Sequence, residues 1–235
     1  MKIILVRHGL SEANISRFYS LEDTNLHESG FSVLNNTKRN LEKYDIDQVY
    51  VSELKRSQQT AQKLGFNDYK IDSRLNELDF GDFKGKFFDD IRTNELDFFN
   101  KKEKDFFNIK YPGGESIDDV IKRTSEFFEE KSKEDKNILC VSHAIAIKSS
   151  LFWLLKDKEN WQTFWLDNGS ITVFRVEDEE KIIESVNLLW NLSTLLMRTW
   201  RIIHHLEMAL EHLLETMLGS HLKASLKQIK MLILL

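Results

Sequence analysis

The sequence predicts an α/β protein with three layers, in which helices cover both faces of a mostly parallel central sheet and a helical hairpin follows at the C-terminus. Short apolar runs typical of buried strands alternate along the chain with segments of helical periodicity. Such alternation is typical of parallel strands joined by crossover helices. The chain has 235 residues and is 41% hydrophobic, which is enough for a substantial core.

The first half of the chain contains two predicted strand–helix units. Residues 2–6 form a continuous β-branched apolar run before an Arg-His-Gly turn, as expected of a buried parallel strand. Residues 28–41 carry a helical apolar pattern, and residues 47–51 form a second short strand. A helix is predicted over residues 53–64, because good helix formers are followed there by Gly65 as a stop.

The second half repeats this pattern and closes the sheet. Ser116, with an aspartate three residues later, resembles a capping box and predicts the start of a helix. Residues 137–141 form a third buried strand, which ends at Ser-His and runs into a predicted helix over residues 144–155. Residues 171–176 and 181–186 are predicted to be closing strands around an acidic turn.

The composition changes near Asn187. Aspartate is absent from there onward, and leucine recurs with a heptad-like spacing that Gly219 interrupts. We therefore expect an α/β domain over residues 1–187 and a leucine-rich helical hairpin over residues 188–235. Its apolar stripe needs cover, and the seam spacing favours pairing with a second copy of the chain. Docking on the α/β domain, binding to a membrane surface and a non-native extension are the alternatives.

Charge and cysteine content exclude several classes of protein. The net charge of −5 leaves no basic footprint for a nucleic-acid binder. The single cysteine, Cys140, rules out an intramolecular disulfide framework and a multi-cysteine metal site. The N-terminal apolar run is too short for a signal peptide, and no uncharged apolar stretch is long enough for a transmembrane helix. We expect a cytoplasmic protein that uses no metal or other cofactor.

The side chains that could bind a ligand or take part in catalysis lie at or after the ends of the predicted strands. Arg7 and His8 end the first strand, and His143 ends the third. Arg56 lies on the helix after the second strand. Because the carboxyl ends of parallel strands meet at one edge of a sheet, we expect these four side chains to form a compact cationic pocket. Guanidinium and imidazole groups in such a pocket suit a phosphoryl group.

Five sequence blocks carry a resemblance to a known family. They contain Arg-His-Gly, Ser-Glu-Leu-Lys-Arg-Ser, Glu-Leu-Asp-Phe-Gly, Gly-Gly-Glu-Ser and Val-Ser-His-Ala, within residues 5–14, 50–61, 74–85, 111–116 and 141–144. In order and spacing they resemble the histidine phosphatase superfamily, the phosphoglycerate-mutase-like group, and within it the phosphatase branch. The resemblance covers residues 1 to about 187 and leaves out the tail.

The resemblance implies a role for each matching residue. His8 would be the nucleophile that takes the phosphoryl group. Glu77 would donate a proton to the leaving oxygen and then accept one from water. The phosphate oxygens would be bound by Arg7, Asn14, Arg56 and His143, with the backbone of Ala144 beside them. The family usually has glycine at this last position, and we expect the alanine methyl to have only a small effect on activity.

Physical chemistry favours the same roles. Nearby cations oppose protonation of His8, which keeps a neutral imidazole available as a nucleophile. Fixed positive charge stabilises a transferring phosphoryl group, so arginine and histidine side chains can stand in for a metal ion. Glu77 must be protonated to assist a leaving alkoxide, which predicts activity favoured at acidic to neutral pH. Asp79 is the nearest rival for this role.

Seven phenylalanines lie between residues 83 and 107, a region that folds over the site in the similar proteins. Most of them are expected to pack this segment onto the sheet. Phe83 and Phe87 are predicted to bind substrate at the mouth of the site, where they would favour an apolar or aromatic leaving group.

Three functions are consistent with these features. Hydrolysis of a small phosphorylated metabolite is favoured. The second is a mutase that returns the phosphoryl group to its substrate. Similar mutases carry paired arginines and prolines between the positions of Gly85 and Tyr111, where this chain has only Arg92 and no proline. The third is an interaction protein that acts through the helical tail, and the intact set of site residues argues against it.

Overall fold

The computed structural model describes residues 1–156, 161–178 and 180–189. In these ranges the strands are β1 (Lys2–Arg7), β2 (Gln48–Val51), β3 (Lys70–Ile71), β4 (Ile138–Ser142), β5 (Ile171–Glu177) and β6 (Glu180–Leu188). The α-helices are α1 (Glu12–Ser16), α2 (Phe31–Leu41), α3 (Lys55–Leu64), α4 (Phe88–Asn94), α5 (Leu96–Lys104), α6 (Ile117–Lys131) and α7 (Ala144–Leu155).

The strands form one mixed sheet with the order β3-β2-β4-β1-β5-β6. Strands β3, β2, β4 and β1 are mutually parallel, whereas β5 is antiparallel to both of its neighbours. The predicted α/β class is therefore confirmed. Because the first four strands run in one direction, the carboxyl ends of β1, β2 and β4 meet at the same edge.

Helices cover both faces of this sheet, because the residues of β1 alternate between two cores. Ile3 and Leu5 pack in one cluster with side chains of α6 and α7. Ile4 and Val6 pack in the other with side chains of α2 and α3. All four side chains are fully buried, as expected of a strand that is covered on both faces.

The segment between β3 and α6 adds a third apolar cluster, which is mainly aromatic. The ring of Tyr111 lies 5.2 Å from that of Phe80 and 5.6 Å from that of Phe83, measured between centroids. Gly81 has a φ of +52°, and a Cβ built there would lie 2.0 Å from the carbonyl oxygen of Pro112. Only glycine fits at this crossing of two loops, which fixes the first loop beside the sheet edge.

Most of the predicted elements are confirmed. The helix predicted over residues 144–155 coincides with α7. Gly65 ends α3 with a φ of +98°, and the capping box at Ser116 begins α6. The sequence patterns do not predict α1, β3, α4 or α5, which are elements of two to nine residues.

The predicted tail lies almost wholly outside the described residues. Leu188 is part of β6 and pairs with Ile171, so it belongs to the sheet and not to a helix. The helical hairpin over the remainder of residues 188–235 and its pairing with a second copy stay predictions. Within the ranges described, the helices are either too short or too polar to cross a membrane.

Candidate active site

His8 and His143 lie side by side at the carboxyl edge of the sheet. Strands β1 and β4 are parallel neighbours, with Arg7 opposite Ser142. Each histidine directly follows its strand, and the two ring centroids are 5.0 Å apart with the ring planes inclined at 54°. The structure thus brings together two residues that are far apart in the sequence.

Two arginines complete a group that we call the His-Arg cluster, formed by Arg7, His8, Arg56 and His143. Arg7 donates a hydrogen bond to the carbonyl of Leu166, and Arg56 donates one of 3.0 Å to the carbonyl of Leu21. The Nε atoms of both arginines are buried and have no hydrogen-bond partner among the described residues. Since a buried donor without a partner is unfavourable, this arrangement suits an incoming anion.

Burial governs protonation in the His-Arg cluster. It lowers the pKa of Arg56 to about 10 and also lowers the pKa of Arg7, so both groups remain charged at neutral pH. The pKa of His8 lies well below its usual range, because the ring is buried and because Arg56 and Arg7 repel a proton. His8 is therefore a neutral imidazole at neutral pH.

The tautomer of His8 follows from its hydrogen bond. Nδ1 lies 2.7 Å from the carbonyl oxygen of Gly9. Since a carbonyl oxygen can only accept, Nδ1 carries the proton and Nε2 holds the free lone pair. A neutral imidazole in this form can act as a nucleophile through Nε2.

His143 precedes the first residue of α7 and is held by two hydroxyl groups. Its Nε2 lies 2.7 Å from Oγ of Ser52 and 3.0 Å from Oγ of Ser57. Its Nδ1 is buried and has no partner in the part of the chain that the structure describes. Burial, followed by the charge of Arg56, holds the pKa of His143 well below its usual range.

Glu77 lies beside the N-terminus of α7. Its carboxyl group accepts hydrogen bonds from the backbone N–H groups of Leu78 at 3.0 Å and of Ile145 at 3.1 Å. Burial raises the pKa of Glu77, and the hydrogen bond from the Leu78 N–H and the positive charges of Arg56 and Arg7 oppose this only in part. A carboxyl group with a raised pKa beside an anion site can serve as a proton donor.

Asp79, the rival for this role, has a different environment. It accepts a hydrogen bond of 2.8 Å from the N–H of Gly81 and pairs with Lys84 at 3.1 Å. Burial acts to raise its pKa, but these two partners lower it overall. Asp79 is therefore suited to carry a negative charge and not a proton.

Asn14 and Ala144 stay predicted phosphate ligands. Asn14 is exposed, and its Oδ1 accepts hydrogen bonds of 3.1 Å from the N–H of Ser11 and from Nδ2 of Asn168. Its own amide N–H₂ group is the part that could reach a phosphate oxygen. Ala144 is half-buried and is the first residue of α7, so its N–H belongs to a helix N-terminus that favours an anion.

A cavity of about 480 Å³ opens beside the His-Arg cluster, and we call it the side cavity. Arg56 and Glu77 line it, so it adjoins the cluster directly. The other charged residues that line it are Glu22, Glu53, Asp79, Lys84, Glu115 and Arg123. A group attached to a phosphate bound at the His-Arg cluster has room in this cavity.

The two phenylalanines predicted at the mouth do not line the side cavity. Phe83 is only 2% exposed and packs against Tyr111 in the aromatic cluster. Phe87 is 53% exposed and contacts Phe18. Phe80 is the phenylalanine that lines the cavity. Neither Phe83 nor Phe87 lines the cavity, so the predicted preference for an apolar or aromatic leaving group stays a prediction.

Two residues that form hydrogen bonds to site residues are not predicted by the sequence patterns. Ser57 reaches His143 across 86 positions of sequence, and nothing in its motif block indicates that contact. Arg123 lies outside all five blocks and donates a hydrogen bond of 3.0 Å to the carbonyl of Glu77. Both contacts depend on the fold and have no local signal.

Comparisons with known proteins find related sequences over most of the described residues. The family model of the histidine phosphatase superfamily (branch 1) matches residues 3–189. The chain is 28% identical to phosphoserine phosphatase 1 of Hydrogenobacter thermophilus, over 82% of this chain and 94% of that protein. It is 33% identical to a 2,3-bisphosphoglycerate-dependent phosphoglycerate mutase of Azorhizobium caulinodans, over 54% of this chain and 66% of the mutase.

The similarity extends to solved structures. The crystal structure of the α-ribazole phosphatase from Shigella flexneri matches with a TM-score of 0.73 and 25% identity, and the match covers 80% of this chain and 96% of that one. The residues matched by the family model include all four members of the His-Arg cluster. The chain therefore belongs to the histidine phosphatase superfamily, branch 1.

Proposed function

We propose that the protein is a phosphatase that hydrolyses small phosphomonoesters, without a metal ion, through a phosphohistidine on His8 with Glu77 as general acid and base. The observation that carries this proposal is the neutral ring of His8 with a free Nε2 lone pair, beside buried arginine N–H groups that lack partners in the described residues. This combination suits nucleophilic attack on an anion that the arginines bind. Phosphatases among the relatives favour hydrolysis as the outcome.

In the first step, Nε2 of His8 attacks phosphorus and forms a P–N bond. The P–O bond to the leaving group breaks, and the proton of the Glu77 carboxyl moves to the leaving oxygen. Arg7 and Arg56 hold the equatorial oxygens throughout. Fixed cations in a buried site stabilise the charge of the transition state more than water can, because they need no reorganisation.

In the second step, water attacks phosphorus, and Glu77, now a carboxylate, takes a proton from that water. The P–N bond breaks, inorganic phosphate forms, and both residues return to their starting states. Accepting this proton restores the neutral form that burial of Glu77 favours. The same carboxyl group thus serves both half-reactions.

His143 supports the phosphate through its second ring nitrogen. A serine hydroxyl that donates to Nε2 leaves the ring proton on Nδ1. Nδ1 is the buried atom that has no partner in the described ranges. In this tautomer His143 donates a hydrogen bond to a phosphate oxygen while the ring stays neutral, and its low pKa is consistent with that state.

Phosphoglycerate mutation is the second candidate, because a mutase is among the relatives. A mutase must hold a substrate that carries a further anionic group besides the phosphoryl group that moves. Lys84 and Arg123, which line the side cavity, are already paired with carboxylates, and this favours hydrolysis. Formation of 2-phosphoglycerate from 3-phosphoglycerate, without release of phosphate, would instead identify a mutase.

The cytoplasmic location and the pairing of two copies through residues 188–235 stay predictions. Residues 190–235 lie outside the described part of the chain. A mass in solution of the full chain that stays that of a monomer at all concentrations would rule out the predicted pairing.

The test is phosphate release by the full-length chain from a panel of phosphomonoesters, in the presence of a metal chelator. We expect hydrolysis by the wild-type protein and none above background by His8→Ala. His27→Ala is the matched control, because His27 bonds to Ser29 and is not part of the His-Arg cluster. Hydrolysis that needs an added metal, or that survives His8→Ala, would contradict the proposal.

A further inference from the structure

The charged side chains that line the side cavity predict which leaving groups the site accepts. We infer that it selects against phosphomonoesters whose leaving group bears a further negative charge, and that it favours leaving groups that bear an ammonium group. The inference rests on the proposed function, because it concerns the part of the substrate that lies beyond the transferred phosphoryl group. It follows from the charges that line the cavity and from the hydrogen bonds that those charges already make.

Carboxylates outnumber cations in the side cavity once the phosphate-binding Arg56 and the proton donor Glu77 are set aside. Four carboxylates face two cations, and these six side chains are Glu22, Glu53, Asp79, Glu115, Lys84 and Arg123. This excess of two negative charges lies beside Arg56 and Glu77, where the leaving group of an ester bound by Arg56 would lie. An anionic substituent is repelled there, whereas a cationic one is attracted.

Arg123 cannot offer a hydrogen bond to a substrate anion, because all of its donors are used. Nε and Nη2 donate to the two carboxylate oxygens of Glu115, each at 2.9 Å. Nη1 donates to the carbonyls of Arg74 and Asn76, each at 2.8 Å, and Nη2 also donates to the carbonyl of Glu77 at 3.0 Å. A guanidinium group has five N–H donors, and five hydrogen bonds account for them.

Lys84 is held between two carboxylates. Its Nζ lies 2.7 Å from Oε1 of Glu22 and 3.1 Å from Oδ1 of Asp79. These two partners more than neutralise the single positive charge of the ammonium group. Glu53, by contrast, accepts a hydrogen bond of 2.7 Å from Nδ2 of Asn76 and has no cationic partner in the described residues. Its charge is the one in the lining that remains least compensated.

Arg56 gives an independent reason to place the substrate in this cavity. It lines the cavity, is 2% exposed, and has a buried Nε without a partner in the described ranges. An ester bound through its phosphate at this guanidinium group would direct its leaving group into the cavity if Glu77, which also lines it, protonates the leaving oxygen. The leaving group then lies among the carboxylates and not against the apolar cluster.

Three esters of similar size test the effect of each charge on the leaving group separately. Glycerol 3-phosphate and 3-phosphoglycerate differ by one carboxylate, and O-phosphoserine differs from 3-phosphoglycerate by an ammonium group in place of a hydroxyl. We expect kcat/KM for glycerol 3-phosphate to exceed that for 3-phosphoglycerate by at least about tenfold. We also expect kcat/KM for O-phosphoserine to exceed that for 3-phosphoglycerate. Added salt should reduce both of these ratios of kcat/KM, because it screens the charges.

Glu53→Gln tests whether the selectivity comes from the side cavity, because it removes one negative charge from the lining. Glutamine can still accept the hydrogen bond from Asn76. We expect this variant to reduce the preference for glycerol 3-phosphate over 3-phosphoglycerate by about two- to fivefold. Glu126→Gln, which removes an exposed carboxylate of α6 outside the cavity lining, should leave the preference unchanged.

The possible failures are distinguishable. Equal or faster hydrolysis of 3-phosphoglycerate, through a phosphoenzyme that depends on His8, would overturn the inference on the side cavity and leave the phosphatase activity standing. A preference that Glu53→Gln and added salt leave unchanged would also overturn it. Absence of hydrolysis for every ester would overturn the proposed function and this inference together.

Discussion

The His-Arg cluster and the side cavity adjoin each other but are built in opposite ways. In the cluster, His8 is 4% exposed and His143 is fully buried, and the arginine Nε donors lack partners in the described residues. In the side cavity, Lys84 and Arg123 are already paired with carboxylates, and Glu22 is exposed. The cluster is therefore prepared for an anion, whereas the cavity is not.

This difference separates chemistry from selectivity. Every phosphomonoester brings the same phosphoryl group to the cluster, so substitutions there should affect all esters by a similar factor. The leaving groups differ, and they lie in the cavity. Substitutions in the cavity should therefore change the order of preference among esters more than they change the rate for any one of them.

Glu77→Gln should have the largest effect of the substitutions that leave His8 in place, because Glu77 lies between the two regions. We expect kcat/KM for alkyl phosphates to fall by about 10²- to 10⁴-fold. The loss should be smaller for p-nitrophenyl phosphate, since its leaving group needs little protonation. Equal losses for the two classes of ester, measured in steady-state assays, would remove Glu77 from the role of proton donor.

Arg56→Lys tests whether the cluster acts alike on all esters. Lysine keeps the charge but loses the planar fork of donors. Hydrogen bonds to charged groups predict a loss in kcat/KM of about 10- to 100-fold, similar for p-nitrophenyl phosphate and glycerol 3-phosphate. Arg39→Lys, on the exposed side of α2, is the control. A loss confined to one ester would place Arg56 functionally in the side cavity instead.

The pH dependence of kcat/KM tests the opposite pKa shifts of His8 and Glu77. The pKa of His8 is lowered, so the nucleophile stays neutral throughout the neutral range. Glu77 must hold its proton, and its pKa is raised by burial, so activity should be highest at acidic to neutral pH. Above the pKa of Glu77, the rate should fall about tenfold per pH unit. A profile for alkyl phosphates that keeps rising into alkaline solution would contradict the assignment.

Ser57→Ala should have the smallest effect of these three substitutions. It removes one of the two hydroxyls that hold Nε2 of His143. The loss of one neutral hydrogen bond predicts a decrease in kcat/KM of about 2- to 10-fold, equal for all esters. Ser32→Ala, an exposed position on α2, provides the control. A change in ester preference in Ser57→Ala would show that the cluster also influences selectivity.

The sequence predicts the cluster better than the cavity, and the reason is physical. Arg7 ends a buried strand, and His8 and His143 each directly follow one. Parallel neighbouring strands place their carboxyl ends at the same edge of the sheet. The sequence does not determine the position of Phe83, because seven phenylalanines share one segment and only long-range packing decides which of them face inward. Alternation and helical periodicity carry no information on that choice.

The short helices that the sequence patterns do not predict also depend on long-range packing. Helices α4 and α5 have seven and nine residues and several aromatic side chains, and such short helices depend on tertiary packing more than on propensity. The helix α7, in contrast, follows its strand directly and has 12 residues that are mostly apolar. Its bounds agree with the prediction because local pattern and packing favour the same structure.

The most direct test of the central claim is to trap the phosphoryl group on the protein. The full-length chain would be mixed with a ³²P-labelled phosphomonoester and quenched within one turnover. We predict a labelled protein that is stable in alkali and labile in acid, with the label on His8 and absent from His8→Ala. Phosphate release by the wild-type protein with no such phosphoenzyme, or with label that persists in His8→Ala, would contradict the proposed mechanism.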